Sequence, residues 1–162
     1  VDHEVDSICQ VSYMDEEQRE EFLEEFERER EKSLVAFCVM GGIFSEGIDL
    51  MGEKLIGAII IGTGLPQIGT EREILRQYYD KKGVNGFDYA YRYPGMNKVL
   101  QSAGRVIRTQ EDTGIILLLD ERFAGKDYRN LFPAEWSDRG NCTLNTVEEQ
   151  LGSFWNRIRE KN

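Results

Sequence analysis

Three short apolar runs constrain the fold of this chain more than any other feature: Leu34–Val39, Gly57–Gly62 and Gly114–Asp120. Each is too short for a helix and lacks the polar alternation of a half-solvated strand, so each reads as a strand buried on both faces of a parallel sheet. Parallel neighbours need helical crossovers, and the intervening sequence supplies them. Ser7–Tyr13 reads as a further short strand. Asp15 then caps a helix, with Gln18 at the capping-box position, expected to run to about Lys32 with Phe22, Leu23 and Phe26 inward. Glu71–Lys82 reads as a second helix after a Gly/Pro-rich loop. Gly83–Gly95 is expected to be irregular or weakly helical, broken by Pro94. Two short helical pieces precede Pro133, and Val147–Lys161 closes the chain as a helix with Leu151, Phe154, Trp155 and Ile158 inward. The alternation predicts a three-layer α/β domain with helices on both faces of a parallel sheet, and 162 residues suffice for one such domain. In such sheets ligands bind beyond the carboxyl ends of the strands.

The chemistry concentrates in Asn97–Glu111. On a helix, Gln101, Arg105 and Arg108 fall at i, i+4 and i+7 and share one face, while Val99, Ala103 and Val106 face inward. A glycine inside a helix costs about 1 kcal/mol relative to alanine, so Gly104 suggests that something approaches closely there. Two guanidiniums beside a gap suit an anionic, phosphorylated ligand. Taken alone, solvated arginines on a surface helix explain the same pattern. A second stretch, Gly41–Asp49, holds three glycines and two carboxylates in nine residues, so that backbone amides can approach a ligand and Asp49 can accept hydroxyl hydrogen bonds. The expectation is that both stretches meet at the carboxyl edge of the sheet.

Composition narrows the alternatives. A net charge of −10 argues against broad electrostatic binding of nucleic acid, though not against a narrow basic channel. Cys9, Cys38 and Cys142 form no C-x-x-C pair and are odd in number, which indicates neither a zinc site nor a disulfide framework. Cys9 and Cys38 are expected to be buried thiols in a reducing, cytoplasmic setting. The only histidine, His3, removes Ser-His-Asp and Cys-His schemes. No apolar run is long enough to span a membrane, so no membrane partner is expected. The chain starts at Val1 with no initiator methionine, as a fragment or processed product would.

The segments F-S-E-G-I-D-L (Phe44–Leu50) and Q-S-A-G-R-V-I-R (Gln101–Arg108) together resemble motifs V and VI of superfamily two helicases of the XPD/DinG family. The resemblance runs from about Ile8 to Trp155, and includes Leu65-Pro66 and Leu119-Asp120-Glu121-Arg122-Phe123. It implies the second, C-terminal RecA-like lobe (P-loop NTPase-type) of an ATP-dependent DNA helicase, moving 5′-to-3′ on single-stranded DNA or at a forked duplex. ATP and Mg²⁺ would be held mainly by the N-terminal lobe of the same protein, with no cofactor bound by this chain alone. Arg105 and Arg108 would reach the phosphates across the cleft, with Gln101 and Gly104 beside them. Glu46, Gly47 and Asp49 would be the motif V contacts to nucleotide, and Phe44, Ser45, Arg92 and Lys98 candidates for touching DNA. No G-x-x-x-x-G-K-[ST] is present, since Gly64–Thr70 has neither the lysine nor the frame. The strand and helix that carry motif IV in the family are not found before Ser7, so the lobe is expected to be incomplete at its N-terminal end. The iron–sulfur cysteines of some family members have no counterpart.

Phe87, Tyr89, Tyr91 and Tyr93 alternate in a way that suits either base stacking or filling space under a loop, and packing is the favoured reading. Lys81 and Lys82 are surface lysines able to meet phosphates. Trp136 and Trp155 suit the core or a docking surface. Two readings stand beside the DNA helicase: a RecA-like lobe kept as a non-catalytic interaction module, and the lobe of an RNA-directed helicase.

Overall fold

The computed structural model describes residues 5–42, 44, 54–107, 109, 112–136 and 139–160. They fall into two compact units, Val1–Asn130 and Leu131–Asn162.

In the first unit, β1 (Asp6–Cys9) pairs in parallel with β2 (Leu34–Phe37), Asp6 opposite Leu34 and Cys9 opposite Phe37. The second ladder pairs β3 (Gly57–Ile61) with β4 (Ile115–Leu119), again in parallel, Gly57 opposite Ile115 and Ile61 opposite Leu119. The strand–helix alternation thus gives parallel pairing throughout. Among the described residues, however, the strands form two two-stranded ladders. Among the described residues burial of the strands on both faces is not found. Ile60 is 5% exposed, whereas its neighbours Ile59 and Ile61 are 63% and 72% exposed. The pleat sends alternate side chains to opposite faces, and among the described residues of this unit one face is covered. For the same reason Cys9 is exposed, on the open side of β1 with Ser7, and Cys38 is exposed just past β2; neither is the buried thiol expected.

Helix α1 (Glu16–Glu24) begins with the capping box read from the sequence: Asp15 Oδ1 accepts from Gln18 N at 2.9 Å, and Gln18 Oε1 accepts from Asp15 N at 3.1 Å. It stops well short of Lys32. Arg30 folds back and donates from Nη2 to the Glu25 carbonyl at 2.8 Å, while pairing with the carboxylates of Glu25 and Asp6. A cation on the last carbonyls satisfies groups that a longer helix would have bonded internally. Phe22 anchors this part, its ring stacked on Phe44 with centroids 4.2 Å apart, and Ile8, Met14, Leu23, Phe26, Ala36 and Leu55 pack around the pair.

Helix α2 (Thr70–Lys81) is followed by a π-helical turn (Asp88–Arg92) that runs directly into α3 (Tyr93–Ala103). The predicted break at Pro94 is absent. Pro94 lies in the first turn of α3, and the Ala90 carbonyl four residues before it accepts from Arg72 Nη1 at 3.3 Å instead. The alternating aromatics pack, as favoured: Tyr89 stacks on Tyr79 at 4.0 Å, Phe87 on Tyr91 at 5.4 Å, and Tyr91 is 3% exposed. The Tyr91 hydroxyl donates to Glu73 at 2.6 Å, and this bond to the protonated form, followed by desolvation, holds the phenol above its ordinary pKa. A 3₁₀ turn (Glu121–Ala124) and the short α4 (Lys126–Arg129) follow β4, as expected.

In the second unit, α5 (Val147–Arg159) carries Leu151, Phe154, Trp155 and Ile158 on one half-buried stripe. Phe132 packs on Trp136 at 5.5 Å, and Arg139 lies over the Phe132 ring and donates to the Trp136 carbonyl at 2.8 Å.

Candidate functional site

The loops leaving β1, β2 and β3 converge at the carboxyl edge. Gln10 joins the first two, its Oε1 accepting from Val39 N at 2.9 Å. Next to it Gly41 takes a left-handed φ of 77°, which favours glycine, and Gly42 N donates to the Val39 carbonyl at 2.9 Å. The loop after β3 reaches the same place. A side chain on Gly64, whose φ is 64°, would meet the Gly95 carbonyl at 2.7 Å and Met40 Sδ at 2.9 Å. A Cβ on Gly95 would in turn meet the Thr63 carbonyl at 2.6 Å. The first turn of α3 is therefore seated backbone-to-backbone on the end of β3. Gly95→Ala should destabilise the chain by roughly 1–3 kcal/mol in urea unfolding through this overpacking. Gly69→Ala, where nothing lies within 4 Å, should change it little.

From that seat α3 runs antiparallel to the strands. Met96, Val99 and Ala103 are buried, as is Val106 just beyond it. The helix ends at Ala103 with Gly104 as its C-cap, so Gly104 is not the internal helix glycine expected and Arg105 is not on the helix. Gly104 has an ordinary φ of −66° and donates to the Leu100 carbonyl at 2.9 Å; Arg105 N donates to the Ser102 carbonyl at 3.3 Å. Val106 then plugs the start of β4: a Cβ on Gly114 would meet its Cγ1 at 2.4 Å and the Ile56 carbonyl at 3.0 Å. Ile56 and Gly114 precede β3 and β4, so this turn lies at the amino edge. The expectation that both stretches gather at the carboxyl edge is overturned for Arg105. A crossover helix returns the chain to the start of the next strand, and the end of α3 goes with it.

Lys98, on α3 itself, does lie at the carboxyl edge. A Cβ on Gly41 would stand 3.0 Å from its Cδ and Cε and 3.3 Å from Nζ, so the lysine stem rests on the Gly41 backbone. Gln101 is exposed between the two ends, and Arg105 is half-buried. Arg108, Ser45, Glu46, Gly47 and Asp49 lie outside the described residues.

Two candidates for touching DNA are placed otherwise. Phe44 is 4% exposed and stacked on Phe22, which makes it a core residue with no ring face left for a base. Arg92 pairs with Asp88 at 2.6 Å and Asp127 at 3.1 Å and lies over the rings of Phe87 and Tyr128. It ties the π-helical turn to α4 instead of meeting an external phosphate. Lys82 lies over the Tyr78 ring at 4.5 Å.

Sequence reasoning missed the Gln10 bridge and the Lys98–Gly41 contact, both of which arise between segments distant in the chain. It also missed the Asp120–Arg122 fork at the end of β4, with bonds of 2.8 and 2.7 Å, whose i, i+2 spacing carried a signal. The Arg122 hydrogen bond holds the Asp120 carboxyl below its ordinary pKa. A carboxyl that ionises more readily folded than unfolded contributes stability above the ordinary aspartate range, lost as pH falls through the lowered folded value. The amide resonance of Arg122 in an NMR titration should hold its position through the ordinary aspartate range and move only below it; in Asp120→Asn that step should vanish.

Among the described residues no group of three or more His, Cys, Asp or Glu side chains could hold a metal ion, and no helix is long and apolar enough to cross a membrane. The cations present, Lys98 and Arg105, fit phosphates, not a metal.

A family model described as "Helicase C-terminal domain" matches residues 2–139. The chain is 38% identical over 89 residues to the ATP-dependent DNA helicase DinG of Photobacterium profundum, covering 54% of this chain and 13% of that protein. It is 32% identical over 109 residues to the general transcription and DNA repair factor IIH helicase subunit XPD of Dictyostelium discoideum, covering 65% of this chain and 14% of that protein. It is 32% identical over 116 residues to the ATP-dependent DNA helicase chl-1 of Caenorhabditis elegans, covering 70% and 14%. A solved XPD helicase structure superposes with a TM-score of 0.61 at 20% identity, covering 78% of this chain and 23% of that one, a likeness of fold.

Proposed function

We infer the role of the chain from one premise: it belongs to the helicase C-terminal domain family, with XPD- and DinG-type relatives. It spans 13–14% of the length of the three relatives named above, so the activity proposed is that of a larger protein. That activity is ATP-dependent movement on DNA, 5′-to-3′ along a single strand or at a fork. The chain is the second motor lobe, and the N-terminal lobe of the same protein is its partner.

The observation that carries the reading is the course of α3. Midway along this helix Lys98 lies over the β2 loop, and Arg105 lies just past its C-terminal end. Lys98 and the last helical residue, Ala103, are five residues apart, about 7.5 Å at the helical rise, and Arg105 follows beyond the C-cap. Such a helix couples a strand of nucleic acid at one edge of the lobe to a nucleotide at the other.

ATP bound against the first lobe, with its Mg²⁺, supplies the γ-phosphoryl group. Phosphoryl transfer spreads negative charge over the transferring oxygens and asks the protein mainly for positioned cations. Arg108 is assigned to the γ-phosphate and Arg105 to a supporting contact. Gln101 is assigned a place beside them, and the exposed Gly104 leaves room for approach. Glu46, Gly47 and Asp49 link the nucleotide to the nucleic-acid path, and Ser45 and Lys98 contact that strand.

In this scheme the phosphate-loop lysine and the metal ligands belong to the first lobe. Purified by itself, this chain should show no ATP turnover above an Arg105→Ala control. Steady turnover abolished by that substitution would overturn the two-lobe assignment.

A further inference from the structure

We propose that Asp112 is a positioning residue for Arg108: its carboxylate closes the segment of chain that follows the arginine on the way from α3 to β4. The role rests on the function proposed above and adds to it the group that aims the γ-phosphate arginine.

The loop between α3 and β4 is tied at its base. Val106 is 4% exposed, and its N–H donates to the Ala103 carbonyl at 3.1 Å, continuing the turn that ends α3. A Cβ on Gly114 would collide with Val106 Cγ1, so the base closes only around a glycine there. The next residue, Ile115, donates from N to the Ile56 carbonyl at 3.0 Å and opens β4. The two ends of the loop are thus fixed to each other and to the start of the strands.

Inside that closure lies a second one. Thr109 N donates to Asp112 Oδ2 at 2.8 Å. Thr109 is exposed and Asp112 half-buried. A carboxylate accepting from a backbone amide makes a charge-assisted bond, stronger than one between neutral groups. Water would serve an exposed amide as well, so satisfying the donor does not require Asp112. What the bond fixes is the path of the chain. In sequence Arg108 stands between the two closures, two residues after Val106 and one before Thr109.

A guanidinium that stabilises charge in phosphoryl transfer must be held where that charge develops, and a displacement of about 1 Å can cost about 10²-fold in rate. The Thr109–Asp112 bond removes backbone freedom at the residue next to Arg108. Asp112 acts through that arginine and touches no substrate itself.

The test is ATP turnover by the full-length protein with single-stranded DNA, in wild type, Asp112→Ala, Asp112→Asn, Arg108→Ala and the Asp112→Ala, Arg108→Ala double variant. Asp112→Ala should lower kcat by about 10–100-fold with KM for ATP nearly unchanged. Asp112→Asn should recover most of the loss, because its amide oxygen still accepts from Thr109 N. In the Arg108→Ala background Asp112→Ala should lower kcat no further, since nothing is left to position. An unchanged kcat in Asp112→Ala beside an impaired Arg108→Ala would overturn the positioning role alone. So would losses that multiply in the double variant, which would make Asp112 a general structural residue. Full turnover in Arg108→Ala would instead overturn the assignment of that arginine to the phosphate, and this role with it.

Discussion

Replacing Arg108 by alanine in the full-length protein should lower nucleic-acid-stimulated ATP turnover by about 10³–10⁵-fold, the range measured for a positioned arginine in phosphoryl transfer. Nucleotide affinity should change far less. In the proposed role the guanidinium would act on charge that develops as the γ-phosphoryl group moves and would contribute little to the ground state. Arg108→Lys should recover little, because lysine keeps the charge but loses the planar, two-pronged donor and some reach. Turnover and nucleotide binding measured separately on the same preparations check this. Turnover within a few-fold of wild type would remove Arg108 from the phosphate.

Phe44→Ala should have the largest effect on stability. Phe44 is 4% exposed and stacks on Phe22 at 4.2 Å, at the centre of the cluster that joins α1 to β1 and β2. Truncating a buried phenylalanine costs about 3–5 kcal/mol, a fall of about 10 °C in the melting midpoint of a domain this size. Phe44→Leu, which retains most of the volume, should cost under half as much. Calorimetry of the chain and its two variants decides between packing and nucleic-acid contact. A midpoint unchanged in Phe44→Ala, with weakened binding of single strands, would return the ring to the DNA surface.

Features governed by local chemistry were legible in the sequence. The capping box from Asp15 to Gln18 depends on four adjacent residues and forms as read. The inward positions Val99, Ala103 and Val106 follow from helical spacing and a turn that continues it, and all three are buried. The parallel pairing of β3 with β4 follows from two apolar runs separated by helices.

What was not legible depends on tertiary partners. The end of α1 is set by Arg30 reaching the Glu25 carbonyl. Arg92 resembles a surface cation until Asp127, 35 positions along, is seen beside it. Phe44 belongs by sequence to a glycine-rich ligand loop and by structure to the core. The site itself was half legible. Spacing put Gln101 and Arg105 on a common face, but the direction of α3 decides which edge of the lobe each end serves. That direction follows from the crossover rule once the strands on either side are known to be parallel.

We propose that this lobe works within an ATP-driven motor engaged on DNA. ATP turnover by the full-length protein, measured alone, with single-stranded DNA and with single-stranded RNA, tests it most directly. The DNA strand should stimulate turnover strongly and RNA less, and Arg105→Ala should lose the stimulated rate. Turnover that neither nucleic acid raises would contradict it and would leave the chain a RecA-like interaction module.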